Sequence, residues 1–229
     1  MVSVIVVNSS PKMDKGNTAL VLKPFLEGMR SEDAEVEIFY TKKLAIKPCT
    51  GEFKCWGKSP GKCYIKDDMR RLLPKFRDAE IWVFAIPVYV PMPGEMQNLF
   101  NRLMPLFENT VVVRNGRMFP RMSKDVKLQK IVLVSTASFW EIENFDALVS
   151  SVEKISETCG VNFAGALLRP HADVFARMAR DGRDANDILV AARQAGIGLI
   201  AKGRISPRIM MAVSASLVPF EDFLKEVSG

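Results

Sequence analysis

Near its start the chain leaves an apolar run, Val2 to Val7, for Asn8, Ser9, Ser10, Pro11 and Lys12, and then Gly16, Asn17 and Thr18 lead into an apolar helical pattern. Strand, polar loop and helix in that order bring backbone N–H groups, hydroxyls and a helix N-terminus together around an anion. Lys12 adds a full positive charge. The loop has neither the Gly-Lys-Ser/Thr ending of a Walker sequence nor the paired glycines of the dinucleotide fingerprint, so a single phosphate suits it better. The same residues also suit an ordinary turn in which Asn17 or Thr18 caps the helix, and local chemistry leaves the two readings level.

Two later loops carry chemistry of another kind. Pro87-Val88-Tyr89-Val90-Pro91-Met92-Pro93-Gly94 is pinned by prolines, which hold backbone donors and acceptors in place for a flat ligand, and Tyr89 is available to stack on it. Ser135-Thr136-Ala137-Ser138 offers small residues that permit close approach, followed by Phe139 and Trp140, aromatics able to cover a ring. Each loop alone reduces to turn chemistry or aromatic packing. Their joint placement with the phosphate loop describes a mononucleotide site.

The elements that must position these loops are legible as an alternation. Strand-length apolar segments recur at Val2–Val7, Val36–Tyr40, Glu80–Ile86, Ile131–Ser135 and Val161–Leu168. Helical patterns are expected from about Asn17 to Met29, Asp68 to Arg77, Glu95 to Phe107, Asn144 to Thr158, Asp184 to Ile200 and Pro219 to Val227. Alternation of this kind predicts an α/β, doubly wound parallel sheet, with the wholly apolar third strand at its middle. In such sheets ligands sit beyond the carboxyl ends of the strands, where the three loops fall. Between Thr110 and Phe119, the Asn115-Gly116 pair marks a hairpin insertion that must pack on the body or on another subunit. Arg114, Arg117, Arg121, Lys124, Lys127 and Lys130 form a basic stripe, read as a solvated face ahead of a docking site for a nucleotide phosphate or an acidic partner.

Composition narrows the function classes. With 229 residues and a net charge of +6, the chain suits one soluble domain with some excess and makes only a weak case for nucleic acid. No secretory signal and no apolar stretch of membrane-spanning length is visible, so a cytoplasmic protein with reduced cysteines is expected. His171 is the sole histidine, which rules out a multi-histidine zinc site. Its setting, Leu168-Arg169-Pro170-His171, looks like a strand end and suits a packing or interface role over a catalytic base.

Ser10-Pro11-Lys12 with Gly16-Asn17-Thr18, Asp67-Asp68-Met69 and Pro87-Val88-Tyr89 resemble the NADPH-dependent FMN reductase family of flavodoxin-like proteins, in its iron–sulfur flavoprotein-like branch. The resemblance runs from Met1 to about Phe175. It implies a flavodoxin-like FMN-binding domain over 1–175, a five-stranded sheet in the order 2-1-3-4-5, a hairpin insertion near 110–120, and a helical extension over 176–229 packed on the domain or at a subunit interface. Ser10, Lys12, Asn17 and Thr18 would hold the FMN phosphate. Pro87, Val88, Tyr89 and Val90, with Thr136, Ala137 and Ser138, would border the isoalloxazine.

The implied function is an FMN-dependent oxidoreductase that takes hydride from NAD(P)H and reduces a small acceptor such as a quinone or flavin. No side chain is assigned a catalytic role, because the flavin carries the bond chemistry. The alternatives are a flavodoxin-like electron carrier without nicotinamide turnover and a non-enzymatic nucleotide-sensing domain. The implied partners are a nicotinamide nucleotide and a small acceptor, in a homodimer or tetramer, with the basic stripe one candidate for choosing NADPH over NADH.

Cys49, Cys55 and Cys63 take the first, third and fourth places of the branch's cysteine pattern, and Glu52 stands in the second. A cubane cluster wants four thiolates, so an iron–sulfur cluster is not expected. A carboxylate ligand, or zinc held by three thiolates and Glu52, is chemically open, but a metal-free loop is the leading reading. Phe53, Trp56 and Tyr64 would then pack near the flavin or at a subunit contact. Asp67 and Asp68 are expected to cap the following helix.

Overall fold

The apolar runs do form one parallel sheet, and the hairpin stands apart from it. A computed structural model describes residues 1–181 and 185–228. Along the chain come β1 (Ser3–Asn8), α1 (Asn17–Arg30), β2 (Glu35–Tyr40), α2 (Met69–Asp78), β3 (Ile81–Pro87) and α3 (Gly94–Asn101). The hairpin strands β4 (Phe107–Arg114) and β5 (Arg117–Met122) follow, then β6 (Lys130–Thr136), α4 (Asp146–Cys159) and β7 (Asn162–Arg169). The chain ends in α5 (Ala172–Arg180), α6 (Asn186–Lys202), α7 (Pro207–Ser214) and α8 (Phe220–Ser228). The sheet order is β2-β1-β3-β6-β7, all parallel, which is the expected 2-1-3-4-5 once the hairpin is set aside.

The central strands are apolar at consecutive positions because each face has its own core. Val4, Val6, Val83, Val132 and Val134 meet α1, α5, α6 and α7 on one side. Ile5, Val7, Trp82, Phe84, Ile131 and Leu133 meet α2, α3 and α4 on the other. A side chain of this size contributes about 1.5–3 kcal/mol when fully buried, so the two-sided strands dominate the stability of the fold. At the crossing of α1 and α6, a Cβ on Gly28 would run into the Arg193 carbonyl and one on Gly196 into the Phe25 carbonyl. Those glycines let two backbones touch, which draws α6 into the core shared by β1, β3 and α1.

The hairpin turn places Asn115 at φ 50° and Gly116 at φ 72°, the left-handed pair that a two-residue turn between twisted strands demands. It packs on the body of the protein: Arg114 donates to the Glu157 and Thr158 carbonyls at the end of α4 (2.7 and 2.8 Å), and Arg117 pairs with Glu157 at 2.7 Å. The guanidinium of Arg114 and the ammonium of Lys154 also lie over the Phe119 ring.

Some expected elements change. The helix expected over Glu95–Phe107 ends at Asn101, because Pro105 lacks an N–H to continue it and Arg102 turns inward. The start expected at Asp184 lies outside the described residues, and α6 runs from Asn186. Asp68 does not cap α2 through its side chain; its carboxylate accepts from the Ala45 N–H at 2.7 Å and from Arg71. Two short helices, α5 and α7, had no sequence expectation. For α7 the signal was present in Ser206-Pro207, where the serine hydroxyl accepts the Ile209 N–H and proline fills the first helical position. Among the described residues no helix is long and apolar enough to cross a membrane.

Candidate functional site

The loops after β1, β3 and β6 converge on one open cavity of about 420 Å³. Its lining contains Ser10, Lys12, Asn17, Thr18, Pro87, Val88, Tyr89, Val90, Thr136, Ala137 and Ser138, every residue expected from the sequence, and adds Pro11, Gly16 and Ala172. Ala172 is the first residue of α5, which follows β7. The neighbouring place of that strand beside β6 was the only clue to it.

The first wall is a shaped loop ending in an open helix. Ser9 N–H bonds to the Ala85 carbonyl at 2.9 Å, joining the loop to β3, and Asn8 Oδ1 accepts the Ser10 N–H at 2.9 Å. A turn from Ser10 to Met13 then swings Lys12 outward (2.9 Å). Gly16 occupies the cap position of α1, and no side chain caps that terminus. Asn17 and Thr18 are therefore not the helix cap expected of them in the turn reading, although the loop does contain a turn. Asn17 donates to Asp173 at 2.7 Å, and the Thr18 hydroxyl meets the Thr136 hydroxyl at 2.8 Å. A Cβ on Gly16 would run into Ser10 Oγ, so a side chain at this position would turn the Ser10 hydroxyl out of its place over the helix end. Ala19 N–H turns back to the Gly16 carbonyl at 3.0 Å, while the Asn17 and Thr18 N–H groups have no acceptor within the helix and, with Lys12, make a surface suited to an anion.

The second and third walls are joined to each other. Val88 N–H bonds to the Thr136 carbonyl at 2.9 Å, Ala137 N–H to the Arg169 carbonyl at 3.1 Å, and Ala172 N–H to the Ala137 carbonyl at 2.9 Å. Beneath them the Ser135 hydroxyl donates to the Ile86 carbonyl at 2.6 Å. Tyr89 and Val90 are exposed at the rim. Trp140 does not turn to cover a ring in the cavity: it stacks on His171 with centroids 4.5 Å apart and packs against Phe223 of α8. Phe139, 67% exposed, is the aromatic left free in that loop. These features fit FMN, with an uncapped helix end and lysine for its phosphate and two rigid loops for its ring.

His171 is a packing residue. It is buried with φ 38°, bonded through Nε2 to Arg169 at 2.7 Å, and burial together with the Arg169 charge pushes its pKa down to about 4. It stays neutral at ordinary pH and is not a base for this cavity. Arg169, itself pushed down to about 10 by burial, donates to the Val213 and Ala215 carbonyls and so anchors the end of α7.

Four residues of the basic stripe are engaged locally. Besides Arg114 and Arg117, Lys127 pairs with Asp78 and Arg121 approaches Glu108. None of the stripe lines the cavity, so its suggested part in choosing a nicotinamide has no support in the geometry.

The cysteine segment builds a second, smaller cavity of about 130 Å³, lined by Cys49, Glu52, Cys55, Cys63, Phe53 and Arg102 among others. Beside it Arg102 and Asp67, each with a side chain 1% exposed, form a two-pronged ion pair at 2.7 and 2.9 Å. Burial pushes the Asp67 carboxyl up, but hydrogen bonds from Arg102 and from the Lys47 and Met69 N–H groups outweigh it and hold the group below its usual range. Asp67 thus caps α2 through the Met69 N–H while chiefly gripping Arg102. Burial, with Cys63, Glu52 and Cys49 nearby, pushes the Cys55 thiol up.

The donor set does not match a four-thiolate cluster. Thr50 Oγ1 donates to the Glu52 carboxylate at 2.6 Å and also meets the Tyr64 hydroxyl at 2.9 Å, so the second ligand place holds a carboxylate engaged by its own loop. Among the described residues no three His, Cys, Asp or Glu side chains are grouped to hold a metal ion. Trp56 donates to the Met104 carbonyl at 3.2 Å and packs with Phe53 within this segment.

Comparison with known proteins agrees with this geometry. An iron–sulfur flavoprotein of Methanocaldococcus jannaschii is 32% identical over 104 residues, covering 45% of this chain and 52% of the relative. One of Archaeoglobus fulgidus is 32% identical over 99 residues, covering 43% and 47%. The matched stretches thus span about half the length of these relatives. Among solved structures, an NAD(P)H:quinone oxidoreductase from Methanothermobacter marburgensis superposes with a TM-score of 0.59 at 16% identity, covering 86% of this chain and 96% of the other. An FMN-dependent NADH-azoreductase from Bacillus anthracis, in complex with FMN, gives 0.60 at 12% identity, covering 88% and 99%. At these identities the structures show a shared fold. The family described as NADPH-dependent FMN reductase matches residues 2–135, and the chain belongs to that family.

Proposed function

We propose that this protein binds FMN in the cavity above β1, β3 and β6 and works as an NAD(P)H-dependent oxidoreductase that reduces a small acceptor such as a quinone or flavin. The observation that carries the reading is the α1 N-terminus, left without a side-chain cap and opening into a cavity whose other walls are the two ring loops. Ser10, Lys12, Asn17 and the backbone N–H of Thr18 hold the phosphate, the Thr18 hydroxyl being engaged by Thr136. Pro87 to Val90 and Thr136 to Ser138 hold the ring, and their backbone groups meet its polar edge. Bound flavin supplies hydride acceptance from the reduced nicotinamide and electron delivery to the acceptor. The protein contributes orientation and shielding from water, so a site without an acid–base pair suits the task.

Residues 1–175 carry the site, and the helices of 176–229 complete the same body; the burial of α6 residues in the core of β1 and β3 supports this division. A cytoplasmic homodimer or tetramer fits the reading, supported by the free thiols and by the exposed apolar Val111, Val113 and Met118 of the hairpin. The test is spectroscopic. Protein purified or reconstituted with FMN is yellow, anaerobic NADPH or NADH bleaches it, and a quinone restores the colour. A protein that cannot be loaded with FMN overturns the proposal, and loaded flavin that neither nicotinamide reduces leaves an electron carrier.

A further inference from the structure

Thr18 and Thr136 come from opposite sides of the cavity and are almost wholly buried, at 1% and 4% exposure. Their hydroxyl oxygens lie 2.8 Å apart, one donating to the other. Thr18 belongs to the first turn of α1, the phosphate side, and Thr136 is the last residue of β6, the ring side. The Thr136 carbonyl also receives the Val88 N–H at 2.9 Å, and the next residue, Ala137, is bonded through its N–H to Arg169 and through its carbonyl to Ala172. A single position therefore gathers the end of α1 and the loops after β3, β6 and β7. Apolar packing holds α1 against the sheet but sets the rotation and height of its N-terminus less sharply than a directional bond does. The hydroxyl pair does fix them, because a hydrogen bond has a required distance and direction.

We infer that the Thr18–Thr136 hydroxyl pair positions the phosphate cradle relative to the ring loops, and that this spacing makes the site select a flavin carrying a phosphate over one without it. The inference rests on the FMN reading above. A ligand that grips both ends gains from a preset span, since the free protein has already met the ordering cost. Riboflavin uses the ring loops alone and is indifferent to where the cradle lies. Thr18 and Thr136 act here as positioning residues. Loss of one hydroxyl weakens the fold with or without ligand, so stability does not test the role; the ratio of two flavin affinities does.

The experiment measures FMN and riboflavin affinities, by flavin fluorescence, for wild type, Thr18→Val, Thr136→Val, the double variant and Thr136→Ser. Either valine is expected to weaken FMN about tenfold, the scale of a buried hydroxyl left without its partner. Riboflavin changes less than about twofold, the double variant binds FMN no worse than the poorer single variant, and Thr136→Ser returns FMN to within about twofold of wild type. Equal weakening of both flavins, or single losses that multiply in the double variant, overturns the inference while leaving the FMN site intact. Wild type that binds neither flavin removes the reading beneath it. Should Thr136→Val not fold, Thr18→Val against Thr136→Ser decides the same point.

Discussion

Two cavities lie among loops that leave the carboxyl ends of neighbouring strands, and their polar groups are used in opposite ways. In the cysteine segment most of the groups answer one another, Arg102 Nε excepted: Asp67 with Arg102, Arg102 with the Lys47 carbonyl at 2.6 Å, Glu52 with Thr50, Trp56 with Met104. In the candidate flavin cavity Asn17 and Thr18 have side-chain partners, but the α1 terminus has no capping side chain and Lys12 extends into solvent. Buried polar groups that satisfy each other make a scaffold, whereas donors with no internal partner are held ready for a ligand. The first arrangement is suited to holding shape and the second to receiving an anion.

The largest expected effect lies in the scaffold. Arg102→Met leaves Asp67 as a buried, unpaired carboxylate and should cost about 3–5 kcal/mol of stability in urea unfolding, the range for breaking a buried ion pair. The native pair also predicts the acid limb of stability. Because Asp67 is held below its unfolded value of about 4, its contribution is present above that pH and lost as pH falls through the folded value. Asp67→Asn should flatten that limb. A variant at Arg102 as stable as wild type would show that the cysteine cavity is no scaffold.

Next comes the cradle. Gly16→Ala puts a methyl into Ser10 Oγ and should weaken FMN about 10–100-fold, with little change in the unfolding midpoint, because the residue serves the ligand and not the core. A large loss of stability with unchanged FMN affinity would invert the comparison between the two regions. The smallest effect is expected for Glu52→Gln at the mouth of the cysteine cavity, where flavin affinity and NAD(P)H turnover should stay within about twofold of wild type, as for a surface exchange. A larger change would mean that the two cavities are coupled.

Much of the flavin site is legible in the amino-acid sequence, since it consists of strand ends and the turns after them. Apolar runs mark the strands, and small, hydroxyl and proline residues mark the turns, all within a few positions of one another. The parts that escape such a reading are distant in sequence. Ala172 reaches the cavity only because β7 lies beside β6, and Asp173 reaches Asn17 across 156 positions. Trp140 illustrates the opposite failure: its loop follows the expected strand, yet the ring turns away to stack on His171. The basic stripe keeps to the solvated face expected of it, and its alternative as a nucleotide-docking site finds no place in the cavity lining, because Arg114 and Arg117 are turned to the end of α4.

From the sequence alone follow the alternation of strands and helices, a parallel sheet with the third strand central, the hairpin turn at Asn115-Gly116 and the convergence of three loops at one sheet edge. These depend on backbone preference and apolar periodicity, which are local and carried by every copy of the pattern. The tertiary structure alone decided which partner each charged and aromatic side chain took: Arg102 with Asp67, Arg114 with an α4 terminus, Trp140 with His171, Thr18 with Thr136. Such groups accept many partners of suitable charge or shape. The choice among them belongs to the packed chain, which brings one within reach and holds the others away.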